Sequence, residues 1–189
     1  MMRLTTVRNA VIFICALAAP AFMFSQTSAQ LTPKDKAFLS EAAEGGLKEI
    51  QFSKLALDKS NNSQVKAFAQ QMVTDHTQLN SDMQPFAQQA GVTPPTQLNA
   101  KDQAEYDKLS RMSGTQFDQM YIRAMQKDHH KDLREFKAEA ASATDPSFKS
   151  TVENGEKVIQ QHTDTIDGIA RKNGGAPQSS NSTAGTTGD

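Results

Sequence analysis

An all-α fold, an antiparallel four-helix bundle with one extra short helix in its central connection, is what this sequence predicts. Three observations carry the expectation. Apolar residues recur at steps of three and four along four long stretches, the period of one helix face. No run of comparable length alternates apolar and polar residues as a half-buried strand does. Two short polar turns and one long, proline-containing connection divide the stretches into two hairpins, the connectivity of a bundle.

The first long helix begins with Thr32 as N-cap, Pro33 at the first helical position and Asp35 in the favourable first turn. Phe38, Ala42, Gly45, Phe52 and Ala56 lie on one face, and the turn cluster Ser60-Asn61-Asn62 ends the helix. Asn61 with Gln64 reads as a capping box opening the second helix. That helix carries Val65, Ala69, Met72, Leu79, Met83, Phe86 and Ala90, and Gly91 supplies its stop. Residues Val92 to Asn99 contain Pro94-Pro95 and form the connection, with a short helix following over Ala100 to Arg111. Ser113 with Gln116 reads as a second capping box, opening a helix with Phe117, Tyr121, Ile122, Met125, Leu133, Phe136 and Ala140 on one face. Asp145-Pro146 starts the last helix, which places Phe148, Val152, Ile159, Ile166 and Ile169 together and runs to about Lys172 before Gly174-Gly175.

The ends differ from this middle. Arg3 and Arg8, the apolar stretch Ala10 to Phe24 and the small residues Thr27-Ser28-Ala29 have the layout of a secretory signal peptide, residues 1–29. Its 15 apolar residues fall short of the roughly 18 of a spanning helix. The expected mature chain begins at Gln30, carries a bundle domain over 30–172, has no transmembrane segment and is periplasmic or secreted. The single cysteine, Cys15, lies inside the signal, so the mature chain has neither a disulfide nor a thiolate metal ligand. Removing Arg3 and Arg8 leaves 18 basic against 21 acidic residues, a net charge of −3 that gives no reason to expect nucleic acid. Residues 173–189 are rich in Gly, Ser and Thr, with too few apolar side chains to offset ordering entropy, and are expected to be a disordered tail.

The chemistry lies in the helix seams. Met72-Val73-Thr74-Asp75-His76 recurs, as Met-x-x-Asp-His, at Met125-Gln126-Lys127-Asp128-His129, each copy four residues after an aromatic, Phe68 or Tyr121. Heptad rows place His76 between Ala69 and Met83, His129 between Ile122 and Phe136, His162 between Gly155 and Ile169, and Glu49 between Ala42 and Ala56. At about 1.5 Å per residue the members of each hairpin match in depth to within about 5 Å, so all four groups are expected in one layer. Buried ionisable groups must be paired, hydrogen-bonded or metal-bound. Three imidazoles and a carboxylate match the ligand preferences of zinc, iron, nickel or copper; a hydrogen-bonded Glu49–His network needing no metal is the alternative.

Asp75 and Asp128 adjoin the histidines and point about 100° away, which suits flanking roles behind a ligand. Met72 and Met125 lie one turn before a histidine; they fill core space or offer thioethers to copper. Tyr121 is expected in the core with its hydroxyl bonded to the layer, and His130 on the solvated flank. Gly45, Gly46 and Gly155 are expected to permit close helix approach. No nucleophile elbow, phosphate-binding glycine loop or His-Glu-x-x-His motif is present, so the sequence favours a non-enzymatic protein.

The segments Phe38-Leu39-Ser40-Glu41-Ala42-Ala43-Glu44-Gly45-Gly46, Val65-Lys66-x-Phe68-Ala69, Met72-Val73-x-Asp75-His76-Thr77, Phe117-Asp118-x-x-Tyr121-Ile122 and Asp128-His129 resemble, in that order, the bacterial family called domain of unknown function 4142. The resemblance spans about Lys34 to Ala170. It implies an exported, ferritin-like bundle, with an envelope- or stress-related role, and no assigned activity. Ferritin-like diiron proteins use Glu-x-x-His, but Val73, Gln126 and Ile159 precede the three seam histidines here. The diiron ligand set therefore does not transfer. Three functional expectations follow: a periplasmic bundle with a buried Glu/His layer, a metal-binding protein (Fe, Zn or Cu) with a storage or redox role, or a module for an envelope protein partner.

Overall fold

The computed structural model describes residues 30–174, all of whose regular elements are helical. The expected signal peptide and the tail beyond Gly174 lie outside the described residues. Helix α1 spans Pro33–Lys59, α2 Ser63–Gln89, α3 Ala100–Ser110, α4 Gly114–Ser142 and α5 Pro146–Gly174. Helices α1 and α2 pack along each other as one hairpin, and α4 and α5 as the other. Helix α1 also meets α4, and α2 meets α5. The order around the bundle is therefore α1, α2, α5, α4.

Most helix ends follow from their capping residues. Thr32 Oγ1 accepts from Asp35 N at 3.2 Å while Thr32 N donates to Asp35 Oδ2 at 2.7 Å, a complete capping box on α1. Phe148 N donates to Asp145 Oδ1 at 2.8 Å at the start of α5. Gly91 has φ +65°, and the bonds Gly91 N to Gln88 O and Val92 N to Ala87 O close α2 as a Schellman motif.

Three boundaries differ from the expectation. The cap of α2 is Asn62, whose Oδ1 accepts from Gln64 N at 2.9 Å, one residue later than expected; Asn62 N itself donates to Ser60 Oγ at 3.1 Å within the turn. The capping box at Ser113 does not form: Ser113 makes no side-chain cap bond, and Gly114 enters α4 at φ +55°. Asn173, expected in the tail, still belongs to α5 because its Oδ1 accepts from Asn62 Nδ2 at 2.7 Å.

The apolar core comes in two blocks. One gathers Phe52, Phe68, Met72, Tyr121, Met125 and Ile166 toward the α1–α2 turn; the other gathers Leu39, Leu79, Leu133, Phe136, Phe148 and Ile159 at the opposite end. Each long helix changes block at one polar residue: Glu49 on α1, His76 on α2, His129 on α4 and His162 on α5. Two glycines let the helices close around this junction. A Cβ on Gly155 would stand 2.5 Å from Phe136 Cε1, and one on Gly46 would stand 2.5 Å from Asn80 Oδ1. Gly45 differs: its Cβ would meet only Asp132 Oδ2, at an ordinary 3.7 Å, so it borders an open cleft and is not a close helix contact.

Candidate metal centre

The four seam residues form one buried layer. Glu49 is 1% exposed, His76 3%, and His129 and His162 are fully buried. Each histidine offers one ring nitrogen such that the three lie within 4.8 Å of one another. Glu49 Oε2 lies 3.1 Å from His76 Nδ1, and Oε1 lies 3.1 Å from His129 Nδ1. Neither contact is an aligned hydrogen bond, so both Glu49 oxygens are buried without one; His76 Nε2, on the other side of its ring, is likewise buried and unpartnered. Phe68 presents its ring to His129 and His162 at 6.1 Å each, walling the layer with hydrocarbon.

Proton accounting fixes what these nitrogens can do. A neutral imidazole has one N–H and one lone pair. His129 Nδ1 lies 3.0 Å from the Met125 carbonyl, which can only accept, so the proton sits there and Nε2 carries the lone pair. His162 Nε2 donates to Asp75 Oδ2 at 2.8 Å, leaving the lone pair on Nδ1. These two lone-pair nitrogens face each other across 3.4 Å. A purely hydrogen-bonded layer does not close at that point.

A proton there is disfavoured. Burial lowers all three histidines: His76 well below its ordinary range, with His129 and His162 adding to the effect; His129 down to about 3; and His162 also down, against the opposing pull of Asp75. Burial conversely pushes the Glu49 carboxyl well up, reinforced by the negative charge of Asp132 and Asp128. Neutral imidazoles with inward lone pairs are the state in which histidine binds a metal.

The remaining expected residues separate in space. Asp75 reaches across to His162 on α5, and not to His76 of its own motif copy. Asp128, at the equivalent place in the second copy, lies 2.8 Å from Lys48 Nζ and backs no histidine. Met72 and Met125 are fully buried in the apolar block beneath the layer. Tyr121 is also buried, but its hydroxyl pairs with Ser53 Oγ at 2.9 Å and not with the layer. His130 lies on the exposed flank beside Asp167, at 3.2 Å.

Two residues that sequence reasoning passed over belong here. Lys48 is 7% exposed and pairs with Asp102 and Glu105 of α3 as well as Asp128 of α4, pinning the short helix to the bundle. Burial lowers its ammonium pKa, and the Asp128 and Glu105 carboxylates outweigh that, so the net shift is upward. Asp132, one turn beyond His129, borders Glu49 in two adjoining clefts. Burial, with Asp128 and Glu135, pushes it up to about 7 against the pull of Lys131. Its signal was its place on the heptad row of Met125.

Fold and layer together define a four-helix-bundle protein whose core is interrupted by clustered histidines and carboxylates. A family model described as Domain of unknown function (DUF4142) matches residues 22–169, and the chain belongs to that family. The fold is similar to a DUF305 fragment from Deinococcus radiodurans, with TM-score 0.66 and 14% identity over 76% of this chain and 99% of that one. It is also similar to a DUF305 protein from Streptomyces coelicolor described as secreted, with TM-score 0.63 and 13% identity over 77% of this chain and 96% of that one. Among curated proteins none matches the chain. No helix among the described residues is long and apolar enough to cross a membrane.

Proposed function

We propose that this is an exported metal-binding bundle protein holding one transition-metal ion between His76, His129 and His162. The observation that carries this reading is the pair of lone-pair nitrogens, His129 Nε2 and His162 Nδ1, facing each other at 3.4 Å beside the unpartnered Nε2 of His76. Ligand atoms about 2.1 Å from a tetrahedral ion stand about 3.4 Å apart, so this spacing suits two ligands of one metal.

Glu49 and Asp75 act from behind the ligands. Asp75 orients His162, and Glu49 lies against the Nδ1 atoms of His76 and His129, the carboxylate–histidine arrangement that tunes bound metals. Because Glu49 faces the Nδ1 side of both rings, opposite the Nε2 atoms that would bind the ion, its role in this reading is that of a partner behind the ligands and not the metal ligand expected from the sequence. An all-imidazole set without thiolate suits zinc, copper or iron. A storage or redox role is the activity consistent with it, and no catalytic nucleophile or proton relay needs to be invoked. Export is supported by the signal layout of residues 1–29.

The test is metal content. Mature chain purified without a histidine tag should contain, or take up, one zinc, copper or iron ion per chain, and the His76→Ala/His129→Ala double variant should not. A folded wild-type chain that stays unloaded with all three metals would rule the site out.

A further inference from the structure

The histidine layer is buried, so an ion needs a way in. Two clefts meet at one place on the α1–α4 side. An outer, open cleft carries Glu41, Glu44 and Asp128 together with four lysines, at 48, 101, 127 and 131; an inner cavity of about 110 Å³ reaches His76; Glu49, Asp132 and Glu135 line both. The shared wall is therefore three carboxylates. One of them, Glu49, is 1% exposed with neither oxygen in an aligned hydrogen bond, a buried acceptor facing the junction. The glycine at position 45 keeps the neighbouring wall low: a Cβ there would already lie 3.7 Å from Asp132 Oδ2.

The charges are graded inward. Lys48 is held by Asp102, Glu105 and Asp128. Lys131, at the outer edge, is half exposed and pairs with Glu135 at 2.6 Å and Asp132 at 3.8 Å. Beyond Lys131, the junction itself is bordered by carboxylates and His76. Seven acidic residues against four lysines line the outer cleft, and only acidic residues carry on into the inner one; low-dielectric walls with an excess of one charge sign focus field lines and concentrate counter-ions.

We propose that a divalent transition-metal cation enters the histidine layer through this α1–α4 cleft, passing Lys131 to Asp132 and then to Glu49 before reaching His76. The proposal rests on the three-histidine reading. In it Asp132 is a positioning residue that sets the rate of loading, and no final ligand.

Stopped-flow uptake of Zn²⁺ by the mature protein, followed with a competing chromophoric chelator, tests it. Asp132→Asn should slow loading about tenfold and flatten its salt dependence. Lys131→Gln, which removes positive charge from the mouth, should speed it. Both should fill to the same one ion per chain, whereas His76→Ala/His129→Ala should not fill. Opposite signs at neighbouring positions are not what a general loosening of the fold produces. Should Asp132→Asn fail to fold, Gly45→Leu closes the same route from α1 and should slow loading likewise. Loading by these cleft variants at the wild-type rate overturns the route and leaves the site standing. A wild-type chain that takes up no zinc, copper or iron overturns the site, and the route with it.

Discussion

Replacing Asp75 by alanine should weaken metal binding 10- to 100-fold, although Asp75 is not proposed to touch the ion. The carboxylate accepts the Nε2–H of His162 at 2.8 Å, and that bond keeps the lone pair on Nδ1, the nitrogen facing His129. Without it, His162 has no buried acceptor for Nε2–H and its proton can move to Nδ1, which removes a ligand. Loss of a carboxylate behind a ligating histidine typically lowers metal affinity by the stated factor, or about 1.4–2.7 kcal/mol. The Asp75 side chain is 32% exposed, so solvent screening places the effect toward the lower end. Asp75→Asn, which can still accept through Oδ1, should lose less than Asp75→Ala. Competition with a chromophoric chelator gives the Kd for zinc, and amide circular dichroism verifies the fold. A Kd within twofold of wild type in a folded Asp75→Ala protein would refute His162 Nδ1 as a ligand.

Other outcomes follow from the same geometry. Gly155→Ala forces a Cβ to within 2.5 Å of Phe136 and 3.2 Å of Leu79; overpacking should destabilise the chain by about 1–3 kcal/mol, despite alanine's better helix propensity, measured by urea unfolding. Lys48→Met removes the cation shared by Asp102, Glu105 and Asp128; it should destabilise by about 3 kcal/mol and expose α3 to protease before the other helices. Metal-free protein should weaken in mild acid. Burial holds the folded-state pKa of His76, His129 and His162 below 6.5, so the unfolded chain binds more protons as pH falls through 6.5, and stability falls with it. Glu49 and Asp132, the latter raised to about 7, oppose this, because the folded chain keeps their protons to higher pH. Near pH 6.5 an unfolded imidazole is only half protonated, so the two carboxyls offset the histidines; the slope reaches about one proton, or about 1.4 kcal/mol per pH unit, only near pH 5, where the unfolded histidines are fully charged. Urea melts at pH 6 and 5 measure it, and equal stability at both contradicts the buried neutral layer. Sequencing the N-terminus of the exported protein should begin at Gln30; an intact Met1 excludes cleavage.

The seam histidines and Glu49 were legible in the sequence because helix periodicity reports which face a residue occupies, and equal distances from two turns report depth. What periodicity omits is which helices are neighbours. Asp75 and Asp128 hold equivalent places in the repeated motif, yet Asp75 faces α5 and meets His162, while Asp128 faces α1 and meets Lys48. A repeat in the chain is therefore not a repeat in space, and the flanking role expected of both falls to one. Lys48 and Asp132 were missed for the same reason: each is an ordinary charged residue until the partner helix is known. The shift of the α2 cap from Asn61 to Asn62 is a different failure, since adjacent asparagines offer the same chemistry and only the turn geometry chooses.

The division of the core into two apolar blocks has a consequence for assembly. The two hairpins can each form from local contacts, but they dock across hydrocarbon surfaces that would tolerate sliding by a helical turn. Any such slip drives His129 or His162 into leucines and phenylalanines and strands Glu49 without them, at several kcal/mol per misplaced group. The polar layer thus acts as an alignment pin, fixing how the α1–α2 and α4–α5 hairpins meet.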